Sequence, residues 1–417
     1  MVKYFFIFFS LLLSINAALS QTYNIVIKNG HVIDSKNNID EVLDVAISNG
    51  KIVQVARNID TRNAKQVVDA KGLYVTPGLV DIHVHVFAGT HPDQAYMNGP
   101  NAVAPDGFTF RNGVTTVVDA GSSGWRTFPE FKRNIIDKSQ TRVLAFLNIV
   151  GEGMRGGSYE QNMNDMNSKL TADVAKANRN EIVGIKLAHY NGTDWTPTDR
   201  AVEAGKEANI PVMIDFGGST PPLSLEKLFF NHLRTGDIFT HCFGQLNTRE
   251  FIVDTVTKTV KPFVIEAQKK GIVFDVGFGG ISFSFSQAIP AIKNGFYPNS
   301  ISTDLHIGSM NNAMKDQLSV MSKMLGIGMD FKSVIKASTW NPAVEIKHEE
   351  LGNLSVGADA DVAILNLREG KFGFFDYTGY KIQADKKLEC EMTIRGGKIV
   401  YDLNGIATPI VVRQANR

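Results

Sequence analysis

"GLVDIHVHVF", residues 78–87, sets two imidazoles, His83 and His85, into an otherwise apolar, β-branched run. In a strand successive side chains point to opposite faces, so residues two apart share a face. Regular alternation therefore predicts Asp81, His83 and His85 on one face, with Ile82, Val84 and Val86 on the other. Two neutral imidazoles converging from one strand make a pair of metal ligands. Two histidines on a half-solvated strand would read the same way. The rest of the chain has to decide.

Downstream, apolar β-rich runs recur as "TTVVDAG", "RVLAFLNIV", "IVGIKLA", "PVMIDF", "DIFTHCF", "IVFDVGF" and "SISTDLH". Helix-like stretches such as "SKLTADVAKANRN" and "VKPFVIEAQKKG" lie between them. With the first run, eight strands alternating with helices predict a (β/α)₈ barrel over residues 78–345, a doubly wound sheet being the competitor. Polar residues gather late in these runs: His83, His85, Asp119, Lys186, Asp215, His241 and Asp304. That end is the catalytic face of a barrel. A polar group there is costly unless it is paired or bound to a metal.

The two ends of the chain read differently. "YNIVIKNGHVID" and "VLDVAISNGKIVQVA" each place Asn-Gly between β-rich runs, a hairpin signal. The tail, with "ADVAILNL" and "CEMTIRGGKIVYDLNG", reads as strands around glycine turns. Residues 21–77 and 346–417 are therefore expected to combine into one small β-sandwich domain. Residues 1–20 read as a secretory signal peptide: Lys3, an apolar core from Tyr4 to Leu13, then a small-residue cleavage site at Ala18–Ser20. The expected compartment is periplasmic or secreted, with no membrane partner after cleavage. Lys and Arg (43) balance Asp and Glu (42), which argues against a nucleic-acid surface. Phosphate-loop and GxSxG nucleophile motifs are both missing from the chain. Cys242 and Cys390 are too few for a disulfide framework and are expected to be free.

"YVTPGLVDIHVHVF" resembles the first-strand signature of the amidohydrolase superfamily of metal-dependent hydrolases. "GVTTVVDAGSSG", "GIKLAH", "THCFG", "FDVGFGGISFSF" and "STDLH" resemble its deacetylase or dihydroorotase-like branch, and "LGNLSVGADADVAIL" resembles its tail segment. The resemblance implies a role for each matching residue. His83 and His85 would bind the more buried metal. Lys186 would be carboxylated and bridge two metals, and His241 would be the sixth-strand ligand. Asp304 would bind metal and act as general base. The implied cofactor is one or two divalent ions, zinc first, with manganese or iron as alternatives.

Two positions depart from the family pattern. Asp215 stands where a fifth-strand histidine is usual, and Phe278 replaces the histidine of "GHGG". Asp215 can still ligate, but it adds negative charge, weakens Lewis acidity and favours harder ions. A mononuclear site is one consequence. Phe278 either makes the pocket less polar or packs on Phe283 and Phe285. His189 and His306 are weaker candidates for substrate contact; a regular strand would turn His189 away from Lys186. Ser122 and Ser123 offer hydroxyls, or only a glycine-rich turn.

The expected function is an exported hydrolase of an amide or ester bond in a small acylated substrate, deacetylation being the first case. Its alternatives are hydrolysis of a cyclic amide or dipeptide, and a catalytically impaired binding protein carrying Asp215 and Phe278. A homo-oligomer is allowed for; nucleic acid is not.

Overall fold

The computed structural model describes residues 22–89, 97–215 and 217–409. The expected leader, residues 1–20, lies outside the described residues. Five strands open the described chain: β1 (Tyr23–Asp34), β2 (Ile39–Ser48), β3 (Lys51–Ala56), β4 (Ala64–Asp69) and β5 (Tyr74–Pro77). Seven short strands follow: β6 (Leu79–Val84), β7 (Val114–Gly124), β8 (Arg142–Asn148), β9 (Ile182–Leu187), β10 (Val212–Ile214), β11 (Ile238–Phe239) and β12 (Val273–Phe274). Three more come last: β13 (Val362–Phe375), β14 (Lys381–Arg395) and β15 (Lys398–Asp402).

The two ends of the chain share one sheet, ordered β15-β14-β13-β5-β1-β2-β3, with β4 also beside β1. They meet where β13 runs antiparallel to β5, pairing Val362 with Pro77 and Ile364 with Val75. Ile25, Ile27, Val45 and Ile47 from the first half share an apolar cluster with Val362, Ile364, Met392 and Ile394 from the second. At roughly 1.5–3 kcal/mol per buried large aliphatic side chain, this common core holds the distant segments together.

The hairpin signals resolve into two kinds. Asn49-Gly50, both at positive φ (51° and 75°), turns β2 into β3. Gly396-Gly397 does the same between β14 and β15. Asn29-Gly30 makes no hairpin. β1 runs straight through it with a register shift against β2, a β-bulge. Asn29 takes φ 62° and donates its N–H to Asp44 Oδ1 at 2.9 Å. A Cβ on Gly30 would stand 2.4 Å from Val75 Cγ2. The dipeptide's tolerance of positive φ and close packing therefore serves a bulge here.

β6 to β12 form an all-parallel sheet in sequence order. The expected eighth strand, "SISTDLH", closes the cylinder through isolated bridges, Asp275 to Ser300 on one side and Val84 to Leu305 on the other. Val276 N–H reaches Ser300 O (3.1 Å) and His85 N–H reaches Leu305 O (2.8 Å). The fold is thus a (β/α)₈ barrel beside a β-sandwich-like sheet. Val80, Ile82, Phe146, Val183 and Met213 share one cluster with Ala343 and Ile346 of the chain near helix Trp340–Glu345. Outward residues such as Val117, Ala145, Ile185 and Ile214 join the helices Ser168–Ala177 and Thr196–Ala208 in a larger core.

Candidate active site

β6 departs from the regular alternation expected of it. It carries a bulge against β7: Asp81 pairs with Val117 and Val84 with Asp119, three steps against two. Accordingly Val80 and Ile82 belong to the inner cluster, while Val84 and Val86 belong to the outer one. The bulge puts Asp81 out of phase with the histidines and turns His83 and His85 inward. Asp81 binds the eighth strand instead: it accepts the Thr303 hydroxyl and the Thr303 N–H, and caps His83 N–H at 3.1 Å. Burial pushes its carboxyl up to about 7.

Both histidine rings are fixed from behind. Thr240 donates its hydroxyl to Asp275 Oδ2 at 2.7 Å, so its oxygen accepts from His83 Nδ1 at 2.9 Å. That tautomer leaves the Nε2 lone pair of His83 facing the barrel mouth. Burial pushes His83 down to about 3, which keeps it neutral as a ligand must be. His85 Nδ1 meets Ser122 Oγ at 2.9 Å, and Asp119 receives Ser122 N–H at 2.7 Å. The serine of "AGSSG" is therefore a support for His85, and Asp119 supports the serine.

Asp304 completes the group. Its Oδ1 lies 3.0 Å from His85 Nε2 and 3.6 Å from His83 Nε2. His83, His85 and Asp304 form a buried cluster whose ligand atoms all lie within 4.8 Å of one another. Two imidazole nitrogens and a carboxylate oxygen turned toward one point suit a divalent cation of the zinc, manganese or iron type. Lys186, fully buried, places Nζ 3.3 Å from His83 Nε2 and 3.5 Å from Met213 Sδ. Burial lowers its pKa, against the pull of Asp215, Asp304 and Asp275.

The remaining candidates surround Asp215. His241 donates Nδ1–H to Gly277 O and turns Nε2 to Asp215 Oδ2 at 3.4 Å. His189 does face the site, contrary to the regular-strand expectation. The chain leaves β9 at Leu187, His189 takes φ 56°, and its Nε2 reaches Asp215 Oδ2 at 3.3 Å. Glu160 binds its other nitrogen at 2.9 Å. Burial alone would lower the His189 pKa, but Asp215 and Glu160 on either side lift it to about 10. Arg249 Nη2 pairs with Asp215 Oδ1 at 2.7 Å. His241 (φ 57°) and Asp304 (φ 52°) share the left-handed backbone of His189. Non-glycine residues held there mark strain that the surrounding structure imposes, a feature concentrated at functional sites.

Phe278 stands apart from this group. Its ring stacks on Phe283 (4.3 Å, 16°) and lies under Lys323 Nζ, and it is not among the residues lining the cavity over the site. The glycines flanking it matter more. A Cβ on Gly277 would stand 2.3 Å from Thr240 Oγ1 and 2.8 Å from His241 Nδ1; one on Gly279 would stand 2.5 Å from Asp304 Oδ2. His306 caps the helix Ile307–Asn311, its Nδ1 accepting from Gly308 and Ser309 N–H, which leaves the proton on Nε2. A cavity of about 460 Å³ opens over the site, lined by His189, Asp215, His241, Arg249, Asp304 and His306 among others. A larger cleft of about 650 Å³, beside β13 and β14, takes in none of these six residues.

The sequence model of the amidohydrolase family matches residues 74–400. The chain belongs to that family. This amidohydrolase is accordingly a metal-dependent hydrolase acting on carbon–nitrogen bonds. It is 33% identical over 340 residues to a deacetylase of Brucella anthropi, covering 80% of this chain and 81% of the relative. It is 31% identical over 389 residues to a deacetylase of Enterococcus faecalis, covering 91% and 99%. The crystal structure of an adenine deaminase superposes with a TM-score of 0.82 at 30% identity, over 91% of this amidohydrolase and 100% of that chain. A dihydroorotase structure gives 0.78 at 28%, over 91% and 99%.

Four participants escaped the sequence reading. Asp275 was visible as an acid within an apolar run, and Thr240 as the neighbour of His241. Glu160 sits in a five-residue 3-10 turn (Gly157–Gln161) and Arg249 in a loop, both too short or irregular for periodicity to mark them.

Proposed function

We propose that this amidohydrolase removes acyl groups, acetyl first, from small amide or ester substrates. The observation that carries this reading is the convergence of His83, His85 and Asp304 beneath a cavity of about 460 Å³. The deacetylase relatives supply the reaction class. A divalent ion held by these three residues would supply Lewis acidity and make water a stronger acid at neutral pH.

The protein's own groups do the rest. Asp304 turns Oδ1 to the two histidines. Its Oδ2 takes the proton of the attacking water and passes it to the leaving nitrogen or oxygen. The Nε2–H of His306 donates to the substrate carbonyl as negative charge develops on it. Asp119, Ser122, Thr240 and Asp275 hold the rings in place; such outer partners fix tautomer and orientation. We also infer that Lys186 carries the carboxylate expected from the family pattern: burial favours the free amine, the form that adds carbon dioxide. Export by residues 1–20 remains part of the reading, and sequencing the amino terminus of secreted protein checks it.

The test is a hydrolysis screen over N-acetyl amino acids and O-acyl hydroxy acids with the metal-loaded protein. Turnover that a chelator abolishes and metal restores is expected. Turnover of adenine or dihydroorotate alone would overturn the deacetylase assignment.

A further inference from the structure

The donors at hand suit one cation and do not suit two. Among the described residues a single group of three metal-type donors converges, and it is His83, His85 and Asp304. Asp215, the residue that departs from the family's ligand pattern, is otherwise engaged. Asp215 Oδ1 is paired with Arg249 Nη2 at 2.7 Å, and Oδ2 lies between His189 and His241 at 3.3 and 3.4 Å. The Arg249 side chain is largely buried, Asp215 almost wholly so. A divalent ion on Asp215 would therefore sit beside a guanidinium that cannot lose its charge. Two positive groups a few ångströms apart in a buried site repel strongly, and Asp215 neutralises one of them only.

Charge balance points the same way. One dication with Asp304 and a carboxylated Lys186 is neutral, and Arg249 with Asp215 is neutral. A second dication would leave two uncompensated charges. Arg249 also keeps one donor in hand: its Nε is buried and has no hydrogen-bond partner among the described residues. The residue lines both the cavity over the site and the adjoining one of about 350 Å³. An unpaired buried N–H is costly unless a ligand satisfies it.

We propose that the site works with a single divalent ion on His83, His85 and Asp304. Arg249, anchored by Asp215, stands in for the second ion and donates to an oxygen of the acyl substrate. This rests on the metallohydrolase reading above and adds to it a substrate-positioning residue.

The experiment titrates metal-free protein with Zn²⁺ or Mn²⁺ alone by calorimetry and measures retained metal after desalting. Wild type is expected to hold one ion per chain. The double variant Asp215→His, Arg249→Ala restores a metal donor, removes the competing cation, and is expected to hold two. Arg249→Ala is expected to keep its one ion yet lose about 10²-fold in kcat/KM, the scale of an oxyanion donor. Arg249→Lys, which retains charge but not the planar fork, should recover only part. Two tight ions on wild type would overturn the proposal while leaving the metallohydrolase reading intact. So would unchanged kcat/KM in Arg249→Ala. No bound metal at all would bring down the metallohydrolase reading itself.

Discussion

His83, His85, Lys186, His241 and Asp304 were legible because each is a polar residue late in an apolar run, where burial demands a partner. Arg249 was not, since a loop arginine in "LNTRE" is indistinguishable in sequence from a solvated one. The same scale supports direct tests. Asp304→Asn removes the proposed proton acceptor while nearly preserving shape. We expect kcat to fall by at least about 10²-fold, measured on metal-loaded protein. Undiminished kcat would contradict the assignment. Gly277→Ala places a methyl against Thr240 and His241 at a φ of 45°. We expect a stability loss of about 1–3 kcal/mol by chemical denaturation together with weaker metal retention. Carbamylation has its own readout: a carbonyl resonance that grows in with ¹³C-bicarbonate and is absent from Lys186→Ala.

Elements show where period-two reasoning stops. Neither the bulge that turns His83 inward nor the one at Asn29-Gly30 changes the hydrophobic pattern enough to be read beforehand. Both are set by pairing with neighbouring strands, a tertiary fact. β11 and β12 are two residues each, and the eighth strand pairs through isolated bridges, yet all three runs were recognisable as long apolar segments. The helix Gln317–Gly326 carries another element-level consequence. Its Lys323 is buried, donating to Ala313 O and Ser319 Oγ with its amine over the Phe278 ring. Burial pushes its amine down to about 7 from 10.5, although Asp316 pulls the other way. Between those values the unfolded chain holds a proton that the folded chain has lost. Stability from this residue therefore rises with pH across that window and is flat below it. Denaturation of wild type and Lys323→Met at about pH 7 and about pH 9.5 should show wild type gaining on the variant as pH rises. A difference independent of pH would count against it.

At the scale of the molecule, the order of motifs settled the architecture, because βα repetition and terminal hairpins constrain topology more than any single strand does. The two cysteines are free and buried, as their number suggested. The precise chemistry of the pocket was less accessible, since side chains from β6, β9, β10, β11, the eighth strand and intervening loops meet only after closure. The central claim is that this closure assembles a metal centre on His83, His85 and Asp304. Elemental analysis of desalted wild type beside His83→Ala, His85→Ala tests it most directly. Stoichiometric divalent metal is expected in wild type, and its loss in the double variant. A metal-free wild type, or a double variant with undiminished metal, would contradict it.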